Sequence, residues 1–372
     1  MKIKTITCHH VYNYGATIQA FALQDYLEHQ GHEVEIIDYR LPKHRGYEFF
    51  ALFPDGGRAY PYLKRVPFMR YIYYPIKRRH LLHTWARKRA FDRFDRDYLH
   101  ISKETYRTTE EIQAASPKAD IYIAGSDQIW NTEFDNGTTP AYYLDFGNPN
   151  TPRISYAASF GTSKIAEGRE DFIRENLKRF DAISVREATG LSILESLGIN
   201  GVQVVDPVFL LSKEEWKSRL SLEEGQRDYI FLYDFVRTEP SIRDFALNLS
   251  KRTGLELISI NEKSDNPYAH RQVNNAGPKE FLQWLLNARY VVSNSFHATA
   301  FSLIFEREFF TFPLVSQRNP SRMTDLLRSI GLMDRFKPVA TSGLTTIDWN
   351  AVKVGLQADI NRSKEFLRKN CK

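Results

Sequence analysis

The fold is decided by the stretch KIKTITCHHVYNYGATIQAFALQDYLEHQGHEVEIIDY, residues 2–39. Its two ends are short β-rich runs, and both predict strands. Between them, apolar residues recur at helical spacing from Ile18 to Tyr26, and Gly31 ends that helix. A strand, a helix and a second strand in this order predict a parallel sheet with a right-handed crossover.

Two series of further strands and helices follow along the chain. The first contains the strands DIYIAG, RISYAAS, DAISVRE and VQVVDP with the helices EDFIRENLKRF and EATGLSILESLG. The second contains the strands YIFLYDF, LELISIN, ARYVVSNS and REFFTFP with the helices SIRDFALNLSKRTG and PKEFLQWLLN. We therefore predict an α/β fold with two doubly wound domains that face a cleft. The expected divisions are a domain at 1–211, a linker at 212–225, a domain at 226–344, and a helix at 345–372 that packs back across both.

Composition favours a globular protein kept in the cytoplasm. The chain has 372 residues, of which 42% are hydrophobic and 26% are charged. No apolar run approaches the roughly 20 residues needed to span a bilayer, and the start MKIKTITCHH lacks the features of a signal peptide. The two cysteines, Cys8 and Cys371, indicate neither a disulfide framework nor a zinc site.

An insertion at about residues 45–105 carries most of the uneven positive charge. From Tyr62 to Phe94 it contains ten Lys and Arg residues, including Arg78, Arg79, Arg87 and Arg89, interleaved with aromatic residues. This composition is typical of a segment at an anionic membrane surface. A helix with a solvated basic face and its aromatic residues in the core explains it equally well. Nucleic acid is a weaker interpretation, because no recognised nucleic-acid module surrounds the basic residues.

Polar residues cluster where three predicted strands end, which is where doubly wound sheets bind ligands. Asn13, Tyr14 and Gly15 lead into the first helix, whose free N–H groups suit an anion. They match neither a dinucleotide nor a P-loop fingerprint, and ordinary turn chemistry also explains them. The second cluster contains Ser126, Asp127, Gln128 and Trp130. Its polar groups suit sugar hydroxyls and its indole suits a sugar face, although Asp127 alone is equally suited to cap a helix.

The third cluster contains Asn294, Ser295 and His297, at the end of the strand in ARYVVSNS. A histidine at the start of a helix, flanked by hydroxyl and amide groups, is a candidate acid or base, although many such histidines are structural. Arg186 ends another strand, and Arg322 follows an exposed turn. In a cleft, these two arginines would bind carboxylate or phosphate groups.

Seven segments together resemble the polysaccharide pyruvyl transferase family. In order, they are NYGATIQAFALQDYL, IAGSDQIWN, ISYAASFG, ISVREATG, VVDPVFLL, NSFHATAFSLIF and PSRMTDLLRSIGLMDR, and they extend from about Asn13 to Arg335. The resemblance implies a fold like that of two-domain GT-B glycosyltransferases. It also implies transfer of the pyruvyl group of phosphoenolpyruvate to hydroxyls of a cell-surface glycan precursor, with ketal formation. The acceptors in the family are commonly linked to a polyprenyl diphosphate at the inner face of the membrane.

The resemblance assigns roles to the polar clusters. It implies His297 and Asp127 as catalytic residues, Arg186, Arg322, Asn294 and Ser295 as donor-binding residues, and Asn13, Tyr14, Gly15, Ser126, Gln128 and Trp130 as acceptor-binding residues. Phosphoenolpyruvate acts as a substrate, so no cofactor and no metal is expected. Some family members carry arginine at the position of Ser295, so here another residue must supply that contact with the donor.

Two other functions fit the same sequence. A GT-B-type glycosyltransferase that uses a nucleotide sugar needs an acidic residue on the ribose, for which Asp206 and Glu262 are candidates. A non-catalytic, membrane-associated partner of glycan-assembly enzymes would bind through the basic insertion.

Overall fold

The structure is a computed structural model, and it describes residues 1–41, 85–226, 228–234, 240–262, 265–314, 321–338 and 346–372. The greater part of the basic insertion, including Arg78 and Arg79, lies outside these residues. The prediction that this part binds a membrane is therefore not addressed by the fold. Among the described residues, no helix is both long enough and apolar enough to cross a bilayer.

The N-terminal half is built on a parallel sheet of order β3-β2-β1-β4-β5. Its strands are β1 (Lys2–Ile6), β2 (Glu33–Tyr39), β3 (Ile101–Tyr106), β4 (Ile121–Ala124) and β5 (Arg153–Ser155). Its helices are α1 (Tyr14–His29), α2 (85–98), α3 (Thr109–Ala114), α4 (Glu170–Leu177) and α5 (Ala188–Ser196). Two short strands, β6 (Ser184–Val185) and β7 (Val202–Gln203), pair with each other, and an isolated bridge between Ala158 and Val185 joins β6 to the chain beyond β5.

The C-terminal half repeats this plan with the parallel order β10-β9-β8-β11-β12. Its strands are β8 (Tyr229–Tyr233), β9 (Glu256–Ile260), β10 (Arg271–Val273), β11 (Tyr290–Ser293) and β12 (Glu308–Thr311). The helices from residue 213 onwards are α6 (Lys213–Leu220), α7 (Pro240–Thr253), α8 (Pro278–Leu286), α9 (Phe296–Ile304), α10 (Ser321–Ser329) and α11 (Trp349–Asn370). Short 3₁₀ turns complete the described chain, among them Pro207–Leu210.

The predicted fold class is confirmed: both halves are doubly wound and Rossmann-like, and together they form a GT-B-like pair. In each half the strand order reverses next to the first strand, between β1 and β4 and between β8 and β11. Such reversals open a crevice at the carboxyl ends of the strands. The three predicted polar clusters follow β1, β4 and β11. The first two therefore border the crevice of the N-terminal half, and the third borders that of the C-terminal half.

The stretch expected to be a linker contains α6, because its sequence carries strong helix signals. Ser212 caps the helix, and Glu215 completes a capping box. Trp216 is fully buried, with its ring 5.6 Å from that of Phe21 in the N-terminal half and 5.0 Å from that of Phe301 in the C-terminal half. This connection is therefore part of a core shared by both halves.

Helix α11 lies against the N-terminal half, although it follows the C-terminal half in sequence. The Ser363 hydroxyl accepts a hydrogen bond of 2.9 Å from the Val205 N–H, and the Phe366 ring lies 6.5 Å from that of Tyr156. The chain end therefore contacts the N-terminal half through Ser363 and Phe366.

Helix α2 shows why part of the basic insertion is not a membrane surface. Phe91 and Phe94 are buried in the core, and Arg87 is 2% exposed. Arg87 donates a hydrogen bond of 2.6 Å to the Tyr12 carbonyl, and its guanidinium lies 3.8 Å from the Glu262 carboxylate of the C-terminal half. The expectation that Arg87 contacts lipid is therefore wrong: it connects the two halves.

We predict that Arg87→Ala lowers the free energy of unfolding by about 3 kcal/mol, because it removes one partner of a mostly buried ion pair. Arg89 is the matched control: it is exposed on the same helix and lies over the exposed Trp85 ring. Arg89→Ala should cost less than about 1 kcal/mol. Urea denaturation of both variants measures the difference, and equal losses would contradict the structural role of Arg87.

Candidate active site

The two halves meet at Gly15 and His297. Gly15 is the second residue of α1, and His297 is the second residue of α9. A methyl group on Gly15 would lie 2.0 Å from His297 Nδ1, so only glycine permits this approach. Both helices therefore direct their N-terminal ends, with uncompensated N–H groups and a positive dipole end, at one place between the halves.

The Asp206 carboxylate lies at the centre of the site. Its Oδ2 atom is 2.5 Å from Arg186 Nη1 and 3.5 Å from both His297 Nε2 and the Ser126 hydroxyl. Its Oδ1 atom accepts a hydrogen bond from the Val208 N–H. Burial opposes ionisation, but His297 and Arg186 hold the pKa of Asp206 well below its usual value. Asp206 is thus a buried anion held by residues of both halves.

Arg186 has hydrogen-bonding capacity that the described residues do not use. Only Nη1 donates a hydrogen bond, whereas Nε and Nη2 are buried and have no acceptor among the residues that the structure describes. The Glu187 carboxylate is 3.8 Å from Nε, and the Phe296 ring centroid is 5.0 Å from the guanidinium carbon. A buried N–H without an acceptor is costly, so this guanidinium indicates the place of an anionic ligand.

Arg322 approaches the same site from α10. Burial and the charge of Arg186 lower the pKa of Arg322 to about 10, against the opposing effect of Glu187, Asp127 and Asp206. The structure thus brings His297, Arg186 and Arg322 together, as the sequence predicted.

Other predicted residues lie at the same crevice but hold the protein together. Asn13 and Ser295 cap α1 and α9 through their side chains. Asn294 donates a hydrogen bond to Asp234, and the Tyr14 hydroxyl donates one to the Ala276 carbonyl. These contacts match the alternative interpretation as turn and capping residues, and their predicted ligand contacts stay predictions.

The cluster after β4 divides into three environments. Trp130 is fully buried, stacks on Tyr143 and donates a hydrogen bond to the Tyr142 carbonyl. The expectation that its indole stacks on a sugar is therefore wrong; the ring fills the core because the chain turns inward after Gly125. The Gln128 amide oxygen accepts a hydrogen bond from Asn131. Asp127 is half-buried near Arg186, and its catalytic role stays a prediction.

Sequence reasoning missed the roles of Asp206 and Glu187. It considered Asp206 only for a ribose, together with Glu262. Glu262 accepts a hydrogen bond of 2.5 Å from the Tyr233 hydroxyl and faces Arg87, so it too is engaged by the protein. The available signal was position: Glu187 follows Arg186 directly, and Asp206 follows a strand. Within the described ranges, no group of His, Cys, Asp and Glu residues is arranged to hold a metal ion.

Residues 13–314 match the family model described as polysaccharide pyruvyl transferase. The chain belongs to the polysaccharide pyruvyl transferase family. Membership implies a transferase that acts on pyruvyl groups and a glycan acceptor. The matched range includes Gly15, Arg186, Asp206 and His297, whereas Arg322 follows it.

Several solved structures are similar to this pyruvyl transferase family member over most of its length. The UDP-GlcNAc 2-epimerase from Methanocaldococcus jannaschii has a TM-score of 0.48 and 12% identity, covering 97% of this chain and 93% of that one. The UDP-N-acetylglucosamine 2-epimerase from Rickettsia bellii has a TM-score of 0.47 and 12% identity, covering 99% of this chain and 95% of that one. An E. coli heptosyltransferase with ADP-2-deoxy-2-fluoro heptose has a TM-score of 0.38 and 12% identity, covering 96% of this chain and 100% of that one. No curated protein matches the chain.

We predict opposite effects for alanine at two helical glycines. Gly15→Ala should lower the free energy of unfolding by about 1–3 kcal/mol, because the new methyl group collides with His297. Gly355 lies on exposed α11, where a methyl group would meet only Ile330 at 3.6 Å. Gly355→Ala should therefore add about 0.5–1 kcal/mol through helix propensity. Chemical denaturation compares the two, and a Gly15→Ala variant as stable as the parent would contradict the contact with His297.

Proposed function

We propose that this protein transfers the pyruvyl group of phosphoenolpyruvate to two hydroxyls of a glycan precursor and forms a ketal. The observation that carries the proposal is the buried guanidinium of Arg186 beside the His297–Asp206 pair, because its Nε and Nη2 atoms donate no hydrogen bond to the described residues. Such donors suit the oxygens of a compact anion, and the adjacent imidazole suits proton transfer to it.

The donor's two anionic groups fit the groups of the site. Phosphoenolpyruvate carries a carboxylate and a phosphate on the same carbon atom, so its binding site needs several converging positive groups. Arg186 and Arg322 supply planar guanidinium groups, and the N-termini of α1 and α9 supply further positive potential. In this arrangement, Arg186 takes the part of the arginine that some family members carry at the position of Ser295.

His297 is the proposed acid in the first step. It gives a proton to the methylene carbon of phosphoenolpyruvate, and a sugar hydroxyl forms a bond to the neighbouring carbon with loss of its own proton. A second hydroxyl then attacks the same carbon, loses its proton and displaces phosphate. The products are the ketal and inorganic phosphate. Asp206 is a positioning residue in this scheme, because an ionised carboxylate orients and stabilises a protonated imidazole.

We also propose that the acceptor is linked to a polyprenyl diphosphate and that the enzyme works in the cytoplasm beside an anionic membrane surface. The family resemblance supports this part. Among the described residues of the basic insertion, the exposed pair of Trp85 and Arg89 at the start of α2 is the support that remains.

Arg186→Ala should weaken the binding of phosphoenolpyruvate by about 1.5–3 kcal/mol, the range for hydrogen bonds to charged groups. Arg186→Lys keeps a charge beside Asp206 but lacks the planar fork, so it should also bind more weakly while the fold is kept. Arg243→Ala, on an exposed face of α7, is the matched control and should leave binding unchanged. Isothermal titration calorimetry gives the affinities, and an unchanged value for both Arg186 variants would remove this residue from the donor site.

His297→Gln should lower the rate of phosphate release from phosphoenolpyruvate at least about 10²-fold in the presence of methyl glycosides, because it removes the acid. Donor affinity should change little. His100→Gln, which alters an exposed histidine paired with Glu28, controls for the loss of an imidazole elsewhere. Near-normal phosphate release by His297→Gln would assign this histidine to structure.

A further inference from the structure

We propose that Glu187 is the general base that takes the proton from the attacking hydroxyl of the acceptor, an inference that rests on the proposed function. The site needs such a group, because each hydroxyl that bonds to the donor carbon loses a proton. The family resemblance implied Asp127 as a catalytic residue but assigned no general base.

One oxygen of Glu187 is fixed by hydrogen bonds, and the other accepts none from the described residues. Oε1 accepts hydrogen bonds of 2.6 Å from the Ser159 hydroxyl and 3.1 Å from the Gly161 N–H. Oε2 is buried and accepts no hydrogen bond from any residue in the described part of the chain, and the side chain is 2% exposed. The carboxylate is thus held in place through Oε1, and Oε2 remains able to accept a hydrogen bond from a bound ligand.

The unused oxygen lies beside the donor site. Oε2 is 3.8 Å from Arg186 Nε, one of the two N–H groups without an acceptor. The charge of Glu187 also acts on Arg322 and Asp325 of α10, so the carboxylate lies where the two halves meet. Asp325 has a buried oxygen, Oδ2, that likewise has no partner within the ranges described.

Unused donors and unused acceptors therefore lie side by side. Arg186 presents N–H groups that need an anionic oxygen, and Glu187 presents an anionic oxygen that needs a hydroxyl or N–H group. A phosphoenolpyruvate molecule and a sugar hydroxyl bound next to each other satisfy both at once. Asp206 is less suited to the task, because its oxygens already face Arg186, His297 and the Val208 N–H.

The protons balance over one cycle. Protonated His297 gives its proton to the methylene carbon while Glu187 takes a proton from the first hydroxyl, whose oxygen bonds to the adjacent carbon. When the second hydroxyl displaces phosphate, the now neutral His297 takes its proton and is ready for the next cycle. Protonated Glu187 gives its proton to the departing phosphate. No oxidant, reductant or further reactant is needed.

The test uses Glu187→Gln in the full chain. The amide oxygen of glutamine still accepts the hydrogen bonds from Ser159 and Gly161, so the fold should survive, but the basic oxygen is lost. We measure phosphate release from phosphoenolpyruvate in water and with a panel of methyl glycosides, its pH dependence, and donor affinity by calorimetry. Glu195→Gln, at an exposed position of α5, is the matched control, and Asp127→Asn tests the rival base.

We expect Glu187→Gln to lower phosphate release at least about 10²-fold and to keep donor affinity within about threefold. Added formate should restore part of the rate in Glu187→Ala, since the small anion replaces the missing carboxylate. Glu195→Gln should behave like the parent.

Three results would overturn the proposal. One is an unchanged rate of phosphate release in Glu187→Gln together with a large loss of that rate in Asp127→Asn. Another is a loss of donor affinity as large as in Arg186→Ala, which would make Glu187 a positioning residue for that arginine. The third is a parent enzyme that binds phosphoenolpyruvate but releases phosphate from it neither in water alone nor in the presence of any glycoside. A parent enzyme that does not bind phosphoenolpyruvate would overturn the proposed function itself, and this inference with it.

Discussion

The buried carboxylate of Asp206 imposes the constraint on which the site depends. An ion removed from water is stable only if opposite charges and hydrogen bonds surround it, and removal of one partner typically costs about 3–5 kcal/mol. Here Arg186 comes from the N-terminal half and His297 from the C-terminal half. The pair of halves must therefore close in one arrangement to satisfy Asp206, and that arrangement is the one that places an imidazole beside a guanidinium with unused donors.

The remaining contacts between the halves support the same geometry. Gly15 lets α1 approach His297, and Tyr14 beside it stacks on Phe281 at a ring distance of 4.3 Å. Arg87 stabilises the loop before α1 by its hydrogen bond to the Tyr12 carbonyl. These are packing and backbone contacts that fix the position of an α-helix N-terminus. Precision of this kind matters, since small displacements of catalytic groups lower rates strongly.

The sequence predicted what depends on local pattern. Alternating strands and helices predicted both sheets, and polar residues at strand ends led to Arg186 and His297, whereas Arg322 was found after a turn. It failed where the outcome depends on tertiary packing. Trp130 follows a polar turn and resembles a ligand-stacking residue, but the chain returns it to the core. Arg87 resembles its solvated basic neighbours in sequence, but in the fold it is buried against the Tyr14 and Phe91 rings and faces Glu262. The environment of Asp206 depends on His297, which lies far away in sequence, so no local spacing connects the two.

In the proposed reaction, this site protonates the methylene carbon of phosphoenolpyruvate and passes the resulting pyruvyl group to a sugar. Incubation with phosphoenolpyruvate and methyl glycosides in heavy water, followed by mass spectrometry and NMR of the products, tests this reaction. We expect a glycoside that has gained a pyruvyl ketal whose methyl group carries one deuterium atom from solvent. A pyruvylated product without deuterium, or modification of the glycoside only when a nucleotide sugar replaces phosphoenolpyruvate, would contradict it.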